Sequence, residues 1–317
     1  MKSKSDSKAD APELLEYFAP VTYEMVIGVN IAPVDGNLIS TQAQTVFPMD
    51  WPEQKVTIVE SNIPDGVRLN WRDLPGNNKQ MLLFVPVVTP GQPLQATIKV
   101  RIEKTHIKGP ADTNKLVIPK RPPSNIKNLY LGSSPYIDPG VSEIKKVVKK
   151  INDSDPLTDW KRVEMLYDWV RENISYENGE LKSVAQALKD RKGDCEEMTS
   201  IFVALCRAAR VPARCVWIPN HCYPEFYLED EEGNGYWFPC QVAGTRNFGN
   251  MPEYLPILQK GDRFKVPEHK ELMRYIQDYL KAEKNAGRRD PKVEFIRQLL
   301  GDAANFRAPD LNGAENK

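Results

Sequence analysis

The sequence has no excess of charge of either sign and no long apolar run. Lysine plus arginine and aspartate plus glutamate both number 43 among 317 residues, so the formal net charge is zero. Because no basic stripe stands out, binding to nucleic acid is not expected. The longest apolar runs, at 81–88 and 201–205, are far shorter than the roughly 18 residues that span a bilayer. We therefore expect no nucleic-acid partner and no membrane span.

The first residues lack the features of a secretory signal. The stretch 1–12 is polar and contains neither an apolar central region nor a small-residue cleavage site. The absence of a signal peptide predicts a cytoplasmic location. If a signal had been removed from this sequence, the protein would instead be exported or periplasmic. Both locations remain open, and the oligomeric state is not predicted.

Cysteine and histidine are scarce, and their spacing excludes most metal sites. The five cysteines all lie between Cys195 and Cys240, and none forms a CxxC pair. This odd number without paired spacing favours free thiols. The chain has three histidines, His106, His221 and His269, and none has the neighbours of a metal-ligand set. We therefore predict no metal and no cofactor.

The first third of the chain has the pattern of an antiparallel β-sandwich. Between Tyr23 and Ile102, short runs of β-type residues are separated by Pro, Gly, Asn and Asp. Several runs alternate apolar with polar side chains, which is typical of half-buried strands. The following stretch, 108–128, is rich in Pro, Lys and Asn and breaks this period. It is expected to link two domains.

The second part changes to helical periodicity and then returns to strands. Apolar repeats predict helices that begin near Asp138, Trp160, Ser183 and Cys195. Val211-Pro212 ends the last of these. Three strands follow, namely ARCVWI, CYPEFYLED and GYWFPCQV, with an EEGNG turn before the third.

These patterns predict an α+β fold in two domains. A further amphipathic stretch, Glu268 to Ala282, is expected to form a C-terminal helix. The expected division is a flexible N-terminal segment, a β-sandwich, a linker, an α+β core, and a C-terminal helix with a charged tail, with boundaries at 1–19, 20–107, 108–128, 129–266 and 267–317.

Cys195 is the strongest candidate for a catalytic residue. It begins a predicted helix, where the positive end of the macrodipole lowers the pKa of a thiol, and Gly193 permits a sharp turn before it. Asp194, Glu196 and Glu197 would raise that pKa if their carboxylates faced the sulfur. The backbone N–H of Cys195, in the first helical turn, is a candidate oxyanion donor.

His221 and Gln241 complete the candidate site. His221 opens the second strand after the cysteine helix, where it could accept the thiol proton. Gln241 ends the following strand and could accept the second imidazole N–H. Glu225 lies four residues from His221 on the same strand, about 13 Å away, too far to act on it. Gln186 could donate to an oxyanion, although its spacing does not require it.

Three ordered motifs resemble the transglutaminase-like superfamily. The run GDCEEMTSIFVALCRAARVPARCVWI resembles its Gly-x-Cys helix and the turn that follows, HCYPEF resembles its His-x-aromatic-x-Glu strand, and YWFPCQ resembles its Trp-x-x-x-Asp strand. Upstream, SSPYIDPGVSEIKKVV and RVEMLYDWVRENISY resemble the helical lead-in of bacterial members. The resemblance spans roughly residues 130 to 245.

The resemblance implies a papain-like core that acts on amide or peptide bonds through a thioester, by hydrolysis or acyl transfer. It places Cys195 at the nucleophile position and His221 at the base position. Gln241 departs from the pattern, because the family usually has aspartate there. An amide stabilises an imidazolium less than a carboxylate does. The alternative is a catalytically inactive domain that binds or scaffolds. Either way, the expected partner is a peptide or protein.

Aromatic residues near these motifs, and the remaining cysteines, have simpler interpretations. Trp217, Tyr223 and Trp237 are expected as core aromatics rather than as the lining of a substrate groove. The other four cysteines are expected to be small buried hydrophobic residues, namely Cys206, Cys215, Cys222 and Cys240.

Overall fold

The computed structural model describes residues 14–285 and 289–301, and its first third consists of strands and turns, as predicted. Apolar side chains alternate along the long strands, so one side of each can be buried. The strands are β1 (Glu16–Tyr17), β2 (Val21–Ala32), β3 (Asn37–Phe47), β4 (Gln54–Asn62), β5 (Arg68–Leu74), β6 (Asn78–Val88), β7 (Leu94–Lys104) and β8 (Ile107–Lys108).

The middle of the chain forms the helices and a second sheet. The helices are α1 (Ser124–Tyr130), α2 (Ser142–Asp153), α3 (Asp159–Asn173), α4 (Val184–Asp190) and α5 (Cys195–Ala208). The strands are β9 (Ser175–Tyr176), β10 (Lys192–Gly193), β11 (Ala213–Ile218), β12 (His221–Glu229), β13 (Gly235–Gln241), β14 (Asn247–Phe248) and β15 (Gln259–Lys260). The α+β fold class is therefore confirmed.

Helix α5 is the centre of this core. Most of its side chains are buried, including Ile201, Phe202 and Leu205, which are fully inaccessible to solvent. It packs on a five-stranded antiparallel sheet with the order β14-β13-β12-β11-β15. This packing explains why apolar residues extend beyond one stripe of α5, because a helix that is covered on nearly every side exposes few of its side chains to solvent.

The C-terminal part differs from the prediction. The expected helix over Glu268 to Ala282 is absent, and the chain instead forms β16 (Tyr279–Asn285) and β17 (Lys292–Leu300). β16 pairs with β3, and β17 pairs with β2. A sheet edge offers a row of unpaired backbone groups, and pairing with it outweighs a weak local preference for helix.

These two strands complete the β-sandwich. Its sheets have the orders β16-β3-β6-β5 and β17-β2-β7-β4, so each contains one strand from the C-terminal part. Its core includes Met25, Ile27, Val85 and Val100, with Leu280 and Phe295 packed against it from β16 and β17. The sandwich is therefore built from both ends of the described chain.

Several expectations concern the segments outside the two cores. Residues 1–13 and 302–317, which include most of the predicted flexible segment and the charged tail, lie outside the described residues. Leu15, by contrast, is buried in the α+β core. Within the predicted linker, Leu116 is buried, and Val117 forms a β-bridge with Glu229. This stretch is thus packed against the core.

In the described part of the chain, no helix has both the length and the apolarity to cross a membrane.

A buried ionic network joins the sandwich to the core. The Nζ atom of Lys260 lies 2.5 Å from Oε1 of Glu53 in the sandwich and 2.6 Å from Oε1 of Glu225 on β12. Arg214 on β11 donates to the other oxygen of Glu225 at 2.7 Å. All four side chains are buried, so removing one partner would leave a charge without compensation.

Candidate active site

Cys195 is the first residue of α5, as predicted, and the residues around it cap the helix. The Asp194 carboxylate accepts from the backbone N–H of Glu196 at 2.7 Å, and the Glu197 carboxylate accepts from the backbone N–H of Asp194 at 2.9 Å. This capping box explains the acidic residues beside the cysteine. The backbone N–H of Cys195 lies in the first turn, where helices have no internal acceptor.

Gly193 is required for space rather than for a left-handed turn. Its φ is not among the positive values of the chain. A Cβ atom at this position would lie 2.4 Å from the Cβ of Glu197, which is closer than real contacts allow. Gly193 also pairs with Tyr176 in the short parallel ladder of β9 and β10. The glycine therefore lets the strand lie against the helix start, and this brings Tyr176 beside Cys195.

His221 and Gln241 lie on neighbouring strands and are hydrogen-bonded. His221 begins β12, Gln241 ends β13, and Nε2 of His221 lies 2.9 Å from Oε1 of Gln241. A carbonyl oxygen only accepts, so Nε2 carries the proton in this bond. The neutral imidazole then has its lone pair on Nδ1. The Tyr167 hydroxyl fixes the backbone of Gln241 by donating to its carbonyl oxygen at 2.6 Å.

Cys195 and His221 line the same cleft. The backbone N–H of Cys222, the residue after His221, lies close enough to the sulfur of Cys195 to lower the pKa of the thiol. The Thr199 hydroxyl, one helical turn further along α5, donates to the carbonyl oxygen of Cys222 at 3.2 Å. Two contacts thus hold the start of α5 against the start of β12.

The electrostatics of the thiol differ from the prediction based on the helix macrodipole. Burial raises the pKa of Cys195 to about 12, and the negative charges of Asp194, Glu196 and Glu197 add to this shift, while the Cys222 N–H opposes it. Burial lowers the pKa of His221, and the bond to Gln241 opposes that change only in part. At neutral pH both groups are therefore uncharged at rest, and the expected lowering of the thiol pKa is wrong.

The cleft has a volume of about 940 Å³, and its walls come from several parts of the chain. Tyr136 lines it from the turn before α2, and Tyr176 and Leu181 line it from the segment between α3 and α4. The start of α5, the end of β11 and the start of β12 form a second side, and the remaining walls are the segment 272–277 and the sandwich strand β17, through Phe295 and Arg297. The sandwich therefore contributes directly to the space in front of the sulfur.

Sequence reasoning missed two residues close to Cys195. Tyr176 lines the cleft together with Cys195, and the pKa of its phenol is raised by burial and by the neighbouring Cys195 and Asp194. Arg274, only 6% exposed, donates to the Ser200 hydroxyl at 2.7 Å and forms an ion pair with Glu196 at 3.3 Å. In the sequence, the ISY run after α3 could have indicated Tyr176. No sequence feature indicated Arg274, because this residue is far from Cys195 in the chain and only the fold brings the two regions together.

Other residues that the sequence suggested do not reach the cleft. Glu225 belongs to the buried ionic network, and Gln186 donates to Asp190 on its own helix at 2.7 Å. His106 lies against Tyr254, and His269 contacts Tyr279. Cys206, Cys215, Cys222 and Cys240 are buried free thiols, as expected. Of the three expected core aromatics, Trp217 also lines the cleft.

No metal cluster is found in the part of the chain that the structure describes: no three His, Cys, Asp or Glu side chains are grouped in a way that could hold an ion.

Comparison with known proteins gives one family-model match and two similar solved structures. Residues 145–242 match the model of the transglutaminase-like superfamily. A solved structure described as a "putative cysteine protease" from Cytophaga hutchinsonii has 14% identity and a TM-score of 0.54, with 90% of this chain and 93% of that chain covered. A "putative protease" from Parabacteroides distasonis has 10% identity and a TM-score of 0.28, with 70% and 47% covered. No curated protein matches the sequence. At this identity, the first structural likeness is one of fold.

Proposed function

We propose that the chain is a cysteine enzyme that acts on amide or peptide bonds through a thioester, from the premise that residues 145–242 match the model of the transglutaminase-like superfamily. Cys195 is the nucleophile, His221 is the base, and Gln241 orients the imidazole. The observation that carries the proposal is the 2.9 Å bond between His221 Nε2 and Gln241 Oε1, beside a cleft that also holds Cys195.

The bond to Gln241 determines which imidazole nitrogen works as the base. Since Nε2 carries the proton, Nδ1 accepts the proton of the Cys195 thiol while the sulfur bonds to the substrate carbonyl carbon. The imidazolium then gives this proton to the departing amine, and a thioester remains. Water or a second amine attacks the thioester and releases the acyl group.

The uncharged resting state of the site affects the first step. With the thiol pKa at about 12 and the imidazole pKa lowered, deprotonation occurs together with attack rather than before it. The developing oxyanion has two candidate donors, the backbone N–H of Cys195 and the hydroxyl of Tyr176. A helix N-terminus favours negative charge at this position.

A second candidate function is that of an inactive binding module. Two observations favour it: the high pKa of the Cys195 thiol, and the neutral amide of Gln241 where the family usually has a carboxylate. In this alternative, the cleft binds a peptide without cleaving it.

One experiment separates the two functions. Wild type and Cys195→Ala are incubated with a peptide library and with glutamine peptides plus a primary amine, and products are identified by mass spectrometry. The enzyme proposal predicts products from wild type and none from Cys195→Ala. New amine termini indicate hydrolysis, and amine incorporation indicates acyl transfer. Equal, background-level turnover by both proteins, with retained peptide binding, would establish the inactive module instead.

Thiol labelling gives a second test on the same helix. Cys195 is 9% exposed and lines the cleft, whereas Cys206 is fully buried. We expect iodoacetamide to modify Cys195 first, at a slow rate at neutral pH because the thiolate fraction is small. Labelling of Cys195 no faster than Cys206 in the folded protein would contradict its role as the accessible nucleophile.

A further inference from the structure

Tyr136 has an unusual backbone conformation. Its φ is 67°, and it occupies the fourth position of the SSPY sequence in a turn closed by the pair Ser134 and Ile137. The N–H of Ile137 donates to the carbonyl of Ser134 at 3.0 Å. With Pro135 at the first central position and a positive φ at the second, this is the arrangement of a type II turn, which usually takes glycine where Tyr136 stands.

The surrounding structure holds the turn in this conformation. The Tyr136 carbonyl accepts from the N–H of Val184, the first residue of α4, at 2.9 Å. Arg207 on α5 donates to the hydroxyl of Ser134 at 3.1 Å, and Ile137 is fully buried. Left-handed backbone persists at a bulky residue only where neighbouring contacts over-determine it, and such residues cluster at functional sites.

The other positive values of φ at non-glycine residues in the described chain have local explanations. Asn and Asp tolerate this region because their side chains are short and polar, and Ser40 lies at the β-bulge where β3 pairs with β16. Arg191 and Arg210 follow the ends of α4 and α5, where a left-handed residue closes a helix. The residues are Ser40, Asn77, Asp155, Arg191, Arg210 and Asn220. None of these explanations applies to Tyr136.

Burial of the Tyr136 side chain does not offset the backbone strain. It is 47% exposed and lines the cleft that holds Cys195 and His221. Two further large apolar side chains of the cleft, Leu181 and Leu272, are 39% and 36% exposed. Exposed apolar groups gathered at one concave site indicate a binding surface.

We propose that Tyr136 is a specificity-determining residue whose ring, with Leu181 and Leu272, holds an apolar or aromatic side chain of a peptide next to the scissile amide. This inference rests on the proposed function for the cleavage step, but the binding step can be measured without catalysis. An apolar pocket discriminates by the contact area that it offers, so each lost contact weakens binding of the matching side chain and not of glycine.

Binding is tested in the Cys195→Ala protein with fluorescein-labelled, end-capped pentapeptides that differ at one position, Phe, Leu, Gly, Asp or Lys. We expect the Phe and Leu peptides to bind tightest, and Tyr136→Gly to weaken their binding by about tenfold while changing the Gly peptide little. Tyr136→Phe should retain the preference, since the contact is made by the ring.

The matched control is Arg210→Gly. Arg210 has a φ of 68°, follows α5 and does not line the cleft. Both glycine variants relieve left-handed strain, so both should keep or raise the thermal midpoint. Only Tyr136→Gly should lose the preference for apolar peptides.

The outcomes separate this inference from the proposed function. A lost preference in Tyr136→Gly with no turnover by wild type supports the subsite and contradicts the enzyme. An unchanged preference in Tyr136→Gly, or no preference for the Phe and Leu peptides over the Gly peptide in the Cys195→Ala protein, overturns the subsite. With an active wild type, kcat/KM for Phe peptides should fall about tenfold in Tyr136→Gly.

Discussion

The α+β core and the β-sandwich differ in how the chain builds them. The helices and the sheet of the core come from one continuous stretch between Ser124 and Lys260. The sandwich instead combines six long strands from the first third with β16 and β17 from the C-terminal part. Because β17 also lines the cleft, the sandwich is part of the candidate active site. The continuous core supplies the reacting groups, and the discontinuous sandwich supplies one wall of the substrate cleft.

Removing the C-terminal strands should have the largest effect on the discontinuous sandwich. A chain that ends at Gln277 lacks β16 and β17, exposes the edges of β2 and β3, and loses half-buried apolar side chains worth about 1–3 kcal/mol each. We expect this to exceed about 5 kcal/mol, comparable to the whole stability of a domain. Circular dichroism during thermal unfolding measures it. A truncated chain that unfolds as cooperatively as wild type would mean that the sandwich is complete without these strands.

The contact between the two regions is tested by Lys260→Ala. This substitution leaves the carboxylates of Glu53 and Glu225 buried without their shared cation, at a cost of about 3–5 kcal/mol in the free energy of unfolding. Lys149→Ala is the matched control, because Lys149 pairs with Asp153 on the surface and its side chain is 75% exposed. The control should change stability by less than about 0.5 kcal/mol. Similar denaturant midpoints for the two variants would contradict a structural role for the network.

Within the core, Gln241→Ala tests whether the neighbouring strand orients the base. Without the amide oxygen, Nε2 of His221 loses its acceptor, and the imidazole is free to rotate or to change tautomer. We expect kcat to fall about a hundredfold, the lower end of what a positioned base contributes. Thermal midpoints of the variant and wild type serve as the control for folding. Unchanged kcat would remove Gln241 from the site.

The smallest expected effect is a shift in the pH profile. His221 works as a base only when neutral, and burial keeps its pKa below the ordinary 6.5, so kcat/KM should be lost as pH falls through a value below 6.5. Since the thiol pKa is about 12, no second limb is expected below pH 9. Gln241→Asp places a carboxylate beside the imidazole, raises its pKa, and should move the acid limb about one unit upward. An acid limb that does not move would show that it reports another group.

Local patterns were sufficient for the elements whose periodicity shows within a short run of sequence. The apolar period of α5 and the alternation in β2 follow directly from the spacing of their buried side chains. The pairing of β16 with β3 was not predictable, because it joins Tyr279 to Gln44, residues far apart in the chain. The amphipathic stretch after Glu268 suits a helix as well as a strand, and only the edge of an existing sheet decides between them.

The candidate site divides in the same way. Cys195, His221 and Gln241 were identifiable from motif order, and the structure places the first two in one cleft and hydrogen-bonds the last two. The direction of the pKa shift of the Cys195 thiol was not predictable, because it depends on burial and on where the three nearby carboxylates lie. The catalytic roles of Cys195, His221 and Gln241 stay predictions until activity is measured.

The sequence by itself determined the α+β class, the helix that starts at Cys195 and the strand residues His221 and Gln241, because each depends on short-range periodicity or on motif order. Only the tertiary structure decided how the sandwich closes, which side chains face the sulfur, and that the thiol is uncharged at rest. These depend on distances between residues remote in sequence and on desolvation, and neither is encoded in any local pattern.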